Sequence, residues 1–300
     1  MKFSVVIVYP KGYGHSAAFG GVSSSLAWAL KDLSHDVIVA AEPAAGRRPI
    51  ILGGNLLEHV SWTPPENAII YNLEQMDGGS PWLTPHYLSV LREFEVWEYS
   101  ETNARRYSTI GLPPPERIVP IGYAPTLEHV KQVPESRKGI DVCFYGSLNE
   151  RRIAVLQDLR KTGMKIAIPN SYGWIRDDAI ARSKIVLNMH YYESKVFEIV
   201  RVSHLLANRA CVVSEGTGAE PDEAPFADAI AWSDYAGLVE RCWALVTDEE
   251  ERAKLSARGH AAMIMRPMTA FVRRALAGTA WKPPPDPKSA PRPLPSEEET

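Results

Sequence analysis

Along most of this chain a short apolar run is followed by a longer stretch in which apolar residues recur at helical spacing, and the alternation repeats. Phe3–Pro10 is almost continuously apolar and reads as a buried strand, while Val22–Leu33 carries its apolar residues on one helical face. Asp36–Ala41 and Ala68–Leu73 read as strands, Pro85–Phe94 as a helix and Glu95–Tyr99 as a strand. A helix then starts at Thr102, and Arg117–Tyr123 closes the first half. Between Ala124 and Gly139 the chain turns polar and Pro125 and Pro134 interrupt it, as at a junction. The alternation then restarts. Strands Asp141–Tyr145, Lys165–Pro169, Lys184–Met189 and Ala210–Ser214 are separated by helices Glu150–Lys161, Arg176–Arg182 and Lys195–Asn208. Ala229–Trp232 is one more strand, and helices run on to Gly278.

Alternation of this kind predicts α/β architecture: two Rossmann-like units, each a parallel sheet covered by helices on both faces. The expected domains are 1–130 and 139–280. The tail at 281–300, WKPPPDPKSAPRPLPSEEET, is too rich in proline and charge to bury a core and is expected to be disordered. Ligands of such sheets bind beyond the strand C-termini, so the cleft between the halves is the expected site.

Composition narrows the partners. A formal charge of -3 over 300 residues provides no general basic field, which argues against nucleic acid. Three cysteines, Cys143, Cys211 and Cys242, are odd in number and lack metal-ligand spacing, and two lie in apolar strand-like runs, as reduced thiols do. No apolar stretch has the length of a membrane span, and the N-terminal run is too short for a secretory signal, so a cytoplasmic location is expected.

Two glycine loops and one polar helix carry the candidate chemistry. The first strand runs into KGYGHSAAFGGVSSSLAWALKDLSHDV, where Gly12, Gly14, Gly20 and Gly21 permit positive φ and Gly20-Gly21 precedes a helix start suited to a phosphate. The spacing is not G-x-G-x-x-G, which disfavours a dinucleotide. In the second half, Phe144-Tyr145-Gly146-Ser147 is a strand and turn. Ser147 or Asn149 could cap the next helix, and Arg151 or Arg152 could neutralise a diphosphate, although two solvated arginines would look the same. Tyr172 and Trp174, in a polar turn, could stack on a nucleobase or simply decorate the surface. In KIVLNMHYYESKVFEIVRVSHLLANRACVVSE, residues Glu198, Arg201, His204 and Asn208 fall at i+3 and i+4 intervals and form a polar stripe, either a binding face or an ordinary ion pair with a satisfied histidine.

Gly20-Gly21-Val22, Leu26-Ala27, Leu30 and His35-Asp36-Val37 resemble the N-terminal signature of group-1, family 4-like GT-B glycosyltransferases. The segment Arg201–Glu215 resembles their C-terminal motif, and an arginine three residues before its expected acidic position is similar to the spore-maturation-type variant. The resemblance implies a hexosyltransferase-type enzyme that moves a sugar from a nucleotide-diphosphate donor to a hydroxyl-bearing acceptor, with retention of configuration. That acceptor would be a glycan, a lipid-linked acceptor or a protein. It implies Gly20 and Gly21 at the donor pyrophosphate. The sugar-proximal acid would be Glu193, in the run His190-Tyr191-Tyr192-Glu193, with His190 beside the donor and Glu198 or His204 at the ribose. The family's glutamate pair is displaced here, and His204 stands at the ribose glutamate's position. Gly12-Tyr13-Gly14-His15 also resembles the glycine–histidine loop of inverting GT-B enzymes, which would make His15 a general base; a loop histidine bonded to backbone is the plain alternative. Glu74, closing a strand, lies where such folds place groups that reach the sugar or acceptor. No D-x-D motif appears, so neither a metal nor another cofactor is expected beyond the nucleotide sugar as co-substrate. The displaced glutamates leave two alternatives: a non-catalytic nucleotide-sugar or glycan-binding subunit, and a sugar-nucleotide epimerase on the same fold. Three hundred residues is short for this fold, which leaves room for a second copy or a partner subunit.

Overall fold

Apolar strands buried on both faces pair in parallel, and parallel pairing requires a crossover between successive strands. The computed structural model, which describes residues 1–77, 79–192 and 195–278, obeys that requirement twice. Glu193 and the tail at 281–300 lie outside the described residues. The first sheet comprises β1 (Lys2–Ile7), β2 (Asp36–Ala40), β3 (Arg48–Leu52), β4 (Ile69–Asn72), β5 (Glu95–Glu98) and β6 (Arg117–Ile118), in the order β2-β1-β3-β4-β5-β6. The second comprises β7 (Ile140–Cys143), β8 (Ile166–Ala167), β9 (Ser183–Asn188), β10 (Val212–Glu215) and β11 (Ala231–Ser233), in the order β11-β10-β9-β7-β8. Every strand pair is parallel.

Helices α1 (Gly20–Asp32), α2 (Pro85–Glu93) and α3 (Glu101–Ala104) serve the first sheet. Helices α4 (Glu150–Lys161), α5 (Trp174–Ala181), α6 (Ile199–Ala207), α7 (Leu238–Thr247), α8 (Glu249–Ile264) and α9 (Met268–Leu276) follow the linker. The three cysteines are buried and free, as their apolar context predicted. Among the described residues no helix is long and apolar enough to cross a membrane.

The strand pattern read from the sequence leaves 42–67 unassigned, and that segment supplies β3, a central strand. Pro49 is tolerated there because it pairs only with Ser4 of β1, while the ladder to β4 starts at Ile50. The polar-stripe helix, expected over Lys195–Asn208, starts later: α6 begins at Ile199, with Glu198 as the residue before its first turn.

The last described helix crosses back over the first half. α9 packs on α1, Thr269 Oγ1 donates to Asp32 at 2.9 Å, and Arg117 Nε donates to the Ala275 carbonyl at 3.2 Å. Gly122 permits the crossing, since a Cβ there would lie 2.7 Å from the Arg266 carbonyl and the Met268 backbone. The linker is held from the other side by Asn208. Its Oδ1 accepts from the backbone of His129 and Val130 at 2.9 and 2.7 Å, and its Nδ2 donates to the carbonyls of Leu127 and His204 at 2.7 and 2.8 Å.

Asn208 is buried, so Asn208→Ala would strand two linker N–H groups without an acceptor. It is expected to lower unfolding free energy by about 2–3 kcal/mol, measured by urea denaturation. A loss under about 0.5 kcal/mol, the size of an ordinary surface substitution, would show that the linker is not held by this side chain.

Candidate functional site

The C-terminal ends of both sheets face one cleft of about 1510 Å³. From the first half it is lined by Gly14, His15, residues 17–21 and Ser24, by Leu73, Glu74 and Gln75 after β4, and by Tyr99. From the second half come the turn after β7, the turn before α5, and the polar side of α6.

Glu74 is the acid on the first-half wall. Its backbone is clamped: its N–H donates to Asn72 Oδ1 at 3.0 Å, and its carbonyl accepts from Asn72 Nδ2 at 3.0 Å and Asn103 Nδ2 at 2.9 Å. Its carboxyl opens on the cleft with no hydrogen-bond partner among the described residues. Surrounding protein desolvates it and raises it from near 4.5 to about 7. His15 also lines the cleft; its Nδ1 lies 3.4 Å from Tyr172 Oη on the opposite wall, and its ring meets Tyr13 edge-on. Gly20 and Gly21 line the cleft, but not as the glycine turn expected. A 3-10 helix, Gly14–Phe19, runs directly into α1, Gly20 is right-handed at φ -56, and its N–H is already bound to the Ala17 carbonyl. Of the four glycines, only Gly12 has positive φ.

The opposite wall is organised by two arginines that do not themselves line the cleft, which corrects the reading of both as diphosphate ligands. Arg152 is 2% exposed. Its guanidinium donates to the carbonyls of Ser147, Met189 and His190 and lies 3.6 Å from Glu198 Oε1. Burial lowers it to about 10. Arg151 makes a bidentate pair with Glu215 and lies 4.0 Å over the Tyr235 ring. Both are drawn inward because carbonyl and carboxylate acceptors at the strand ends are nearer than the cleft. Asn149, rather than Ser147, caps α4; Ser147 lines the cleft.

Arg201 is the arginine of the polar stripe, and it lines the cleft together with Arg160 and Arg176. Nη1 donates to Asn188 Oδ1 at 2.9 Å, the guanidinium lies 5.5 Å from the Tyr145 ring, and no carboxylate among the described residues forms an ion pair with it. Gly146 makes room, at φ +124, where a Cβ would meet Arg201 Nη2 at 2.5 Å. Asn188 also donates to Glu198 Oε2 at 3.1 Å and so spaces the acid from the arginine. Burial alone would raise Glu198, but His190, Arg201 and Arg152 hold it below the ordinary range. His190, expected beside a donor, is instead buried behind Glu198, with Nδ1 3.1 Å from Glu198 Oε2, and lines a smaller cavity of about 280 Å³. Burial would lower it, yet Glu198, Glu215 and Glu223 raise it.

His204 lines the cleft with partners invisible in the sequence. Its Nε2 lies 3.2 Å from Asp177 Oδ1, and His129 Nε2 lies 3.3 Å from Asp177 Oδ2. The ligand atoms of these three residues lie within 4.8 Å of one another, a separation compatible with a cation. Two contacts favour an ion-pair cluster instead. Arg176 already occupies Asp177 Oδ1 at 2.8 Å, and His204 Nδ1 faces the amide nitrogen of Asn208 at 3.4 Å. Nε2 faces a carboxylate that can only accept, which calls for the ring proton there, where a metal ligand needs a lone pair. Burial lowers His204 despite the pull of Asp177.

Tyr172 lines the cleft, whereas Trp174 is 78% exposed at the first turn of α5 and takes no part in it, which corrects its pairing with Tyr172. Fold thus brings Glu74, His15, Gly20, Gly21, Ser147, Tyr172, Glu198, Arg201 and His204 to one cleft and excludes Arg151, Arg152, His190 and Trp174. Sequence reasoning missed Arg176, Asp177 and Tyr145. The first two looked like the start of an ordinary helix, and only the contact with α6 distinguishes them.

No known family profile matches the chain. Uncharacterized protein L138 of Acanthamoeba polyphaga mimivirus is 33% identical over 81 residues, which is 26% of this chain and 9% of that protein's length. Among solved structures, HepE of Anabaena in complex with UDP and glucose superposes with a TM-score of 0.59 at 10% identity, over 93% of this chain and 100% of HepE. WaaG, a glycosyltransferase involved in lipopolysaccharide biosynthesis, superposes at 0.56 and 13% identity, over 91% and 98% of the two chains. The fold is GT-B-like: two Rossmann-like domains facing a cleft.

Gly146→Ala should displace the Arg201 guanidinium and weaken binding of a diphosphate in the cleft at least about tenfold by calorimetry, the scale of one lost charge-assisted contact. Unchanged affinity would remove Arg201 from the anion site. Glu74 supplies a pH test. Its folded carboxyl is raised, so the folded state loses stability relative to the unfolded chain as pH climbs from the ordinary carboxylate range through about 7. Glu74→Gln is therefore expected to be increasingly more stable than wild type over that window, in urea titrations, with the difference level above it. A pH-independent difference would contradict the raised carboxyl.

Proposed function

We propose that this chain transfers a sugar from a nucleotide-diphosphate donor to a hydroxyl-bearing acceptor without a metal. The observation that carries this reading is the opposition of two groups across one cleft. Arg201, unpaired with any carboxylate among the described residues, stands on the second-half wall, and Glu74, raised to about 7, stands on the first-half wall. A departing diphosphate needs fixed positive charge, and an acceptor hydroxyl needs a base that is half ionised near neutral pH. The GT-B-like fold supports the same reading, since HepE was solved with UDP and glucose and WaaG is a glycosyltransferase.

In this reading Arg201, with Arg176 nearby, meets the diphosphate, and Tyr172 packs on the nucleobase. Glu198 and the Asp177–His204 pair accept hydroxyls of the sugar and ribose. Glu74 takes the proton of the acceptor hydroxyl as its oxygen bonds to the anomeric carbon. The bond from that carbon to the diphosphate breaks, and the leaving charge falls on Arg201. Such a reaction inverts configuration. The retention implied by the sequence resemblance would instead return the acceptor proton to the leaving diphosphate and leave Glu74 to orient the acceptor.

A thermal-shift screen with UDP-, GDP- and dTDP-sugars is expected to yield one donor that raises the melting temperature, with the shift lost in Arg201→Ala. With that donor and an accepted hydroxyl compound, Glu74→Gln should lower kcat at least about a hundredfold, within the usual range for a general base, and EDTA should leave the rate unchanged. The anomeric configuration of the product, read by NMR, separates inversion from retention. Donor binding without transfer or hydrolysis would make the chain a binding subunit, and conversion of the donor without an acceptor would make it an epimerase or hydrolase. A wild type that no nucleotide sugar stabilises would overturn the proposal.

A further inference from the structure

We propose that Glu98, at the buried end of β5, is the positioning residue for Glu74: it orients two asparagine side chains that together clamp the backbone of that acid. The inference rests on the reading of Glu74 as the group that meets the acceptor.

Glu98 is wholly buried and pairs in register with Asn72 of β4. Four groups donate to it. Asn72 Nδ2 reaches Oε2 at 2.6 Å, Asn103 Nδ2 at 3.0 Å and Tyr107 Oη at 2.9 Å, and the Ser100 N–H reaches Oε1 at 2.9 Å. No arginine, lysine or histidine among the described residues forms an ion pair with it. Burial pushes the carboxyl up, to about 8, against the pull of those donors. A buried acid without a cation is costly and is retained where it organises something.

What it organises is the turn that carries Glu74. Glu98 Oε2 accepts three hydrogen bonds, two of them from the asparagines, so both present their amide nitrogens to it and turn their oxygens away. The same two nitrogens also donate to the Glu74 carbonyl. The two oxygens then take the next amides along the turn. Asn72 Oδ1 accepts from the Glu74 N–H at 3.0 Å and from Tyr87 Oη at 2.6 Å, and Asn103 Oδ1 accepts from the Met76 N–H at 2.6 Å. One buried carboxyl oxygen therefore sets the orientation of every hydrogen bond to the Glu74 backbone. An amide that flipped would put oxygen against oxygen at the carbonyl and nitrogen against nitrogen at the N–H. This is positioning through a shell of hydrogen bonds behind the reacting group.

The test compares Glu98→Met, which fills the same space and removes the acceptor, with Glu98→Gln, which can still offer its carbonyl oxygen to both amides. In Glu98→Met, amide hydrogen exchange at Glu74 and Met76 should accelerate at least about tenfold while β1 and β3 keep their protection. Its kcat should fall at least about tenfold with the KM for donor within about twofold of wild type. Glu98→Gln should restore most of both, because the acceptor is what matters. If Glu98→Met does not fold, Asn103→Ala breaks the same clamp from the other side and is expected to accelerate the same two amides. Unchanged exchange at Glu74 and Met76, or protection lost equally across the first sheet, overturns the proposal. Glu74→Gln keeps the two readings apart. If it transfers sugar at the wild-type rate, the role of Glu74 fails, while the exchange data still decide what Glu98 holds.

Discussion

The second half of this protein is built around a guanidinium that never reaches solvent. Arg152 leaves the first turn of α4, passes between the Phe144 and Tyr191 rings, and donates to three carbonyls, two in the turn after β9 and one in the turn after β7. Its charge also stands against Glu198 at the entry to α6. Each of those segments ends a strand and would otherwise leave backbone acceptors unpaired at a buried position, where an unmade hydrogen bond costs more than a made one returns. Because a guanidinium has five donors in a fixed plane, one side chain can set the relative positions of three loops. The neighbouring Arg151 does similar work from outside, where Glu215 takes its fork and the His190 N–H as well. The wall that presents Arg201, Ser147 and Glu198 to the cleft is tied together by those bonds.

Two glutamates on opposite walls show how surroundings assign chemistry to one residue type. Glu198 sits among His190, Arg201 and Arg152, which hold its carboxyl below the ordinary range despite burial. Among the described residues no cation forms an ion pair with Glu74; desolvating protein alone raises its carboxyl to about 7. A carboxylate pinned in the charged form is suited to accept hydroxyl hydrogen bonds, whereas one half ionised near neutrality can exchange a proton with a substrate. The division follows the division of the fold. The second half is supplied with arginines by the starts of its helices, while the polar groups that the first half brings to the cleft are His15, Ser24, Glu74, Gln75 and Tyr99.

The cleft itself depends on two crossings of the chain between the halves. The linker is latched by Asn208, and α9 returns to lie on α1, its entry admitted by Gly122. His129, carried by the linker, reaches Asp177, and Gln75 Nε2 reaches the Val196 carbonyl across the gap at 3.3 Å. Any relative movement of the halves must strain or remake these contacts, so the width of the cleft is coupled to the linker.

Local periodicity by itself determined a great deal. Alternating strand and helix patterns specified two parallel α/β units and the polar side of α6, because a buried strand and an amphipathic helix each impose a spacing that no distant residue can alter. It also marked Glu74 as a strand-end acid. Tertiary structure alone decided which polar residues reach the cleft. Arg151, Arg152 and Arg201 are indistinguishable as letters, yet Glu215 captures one, backbone carbonyls capture the second, and the space beside Gly146 frees the third. The glycine pair at the start of α1 looked like a turn and became helix because the 3-10 segment before it was already wound. The role of Glu98 is not legible in the sequence, since Asn72, 26 residues away, reaches it only through the pairing of β4 with β5. Whether a charge is spent or available depends on which acceptor lies nearest in space, and the order of residues does not encode that distance until the chain has folded.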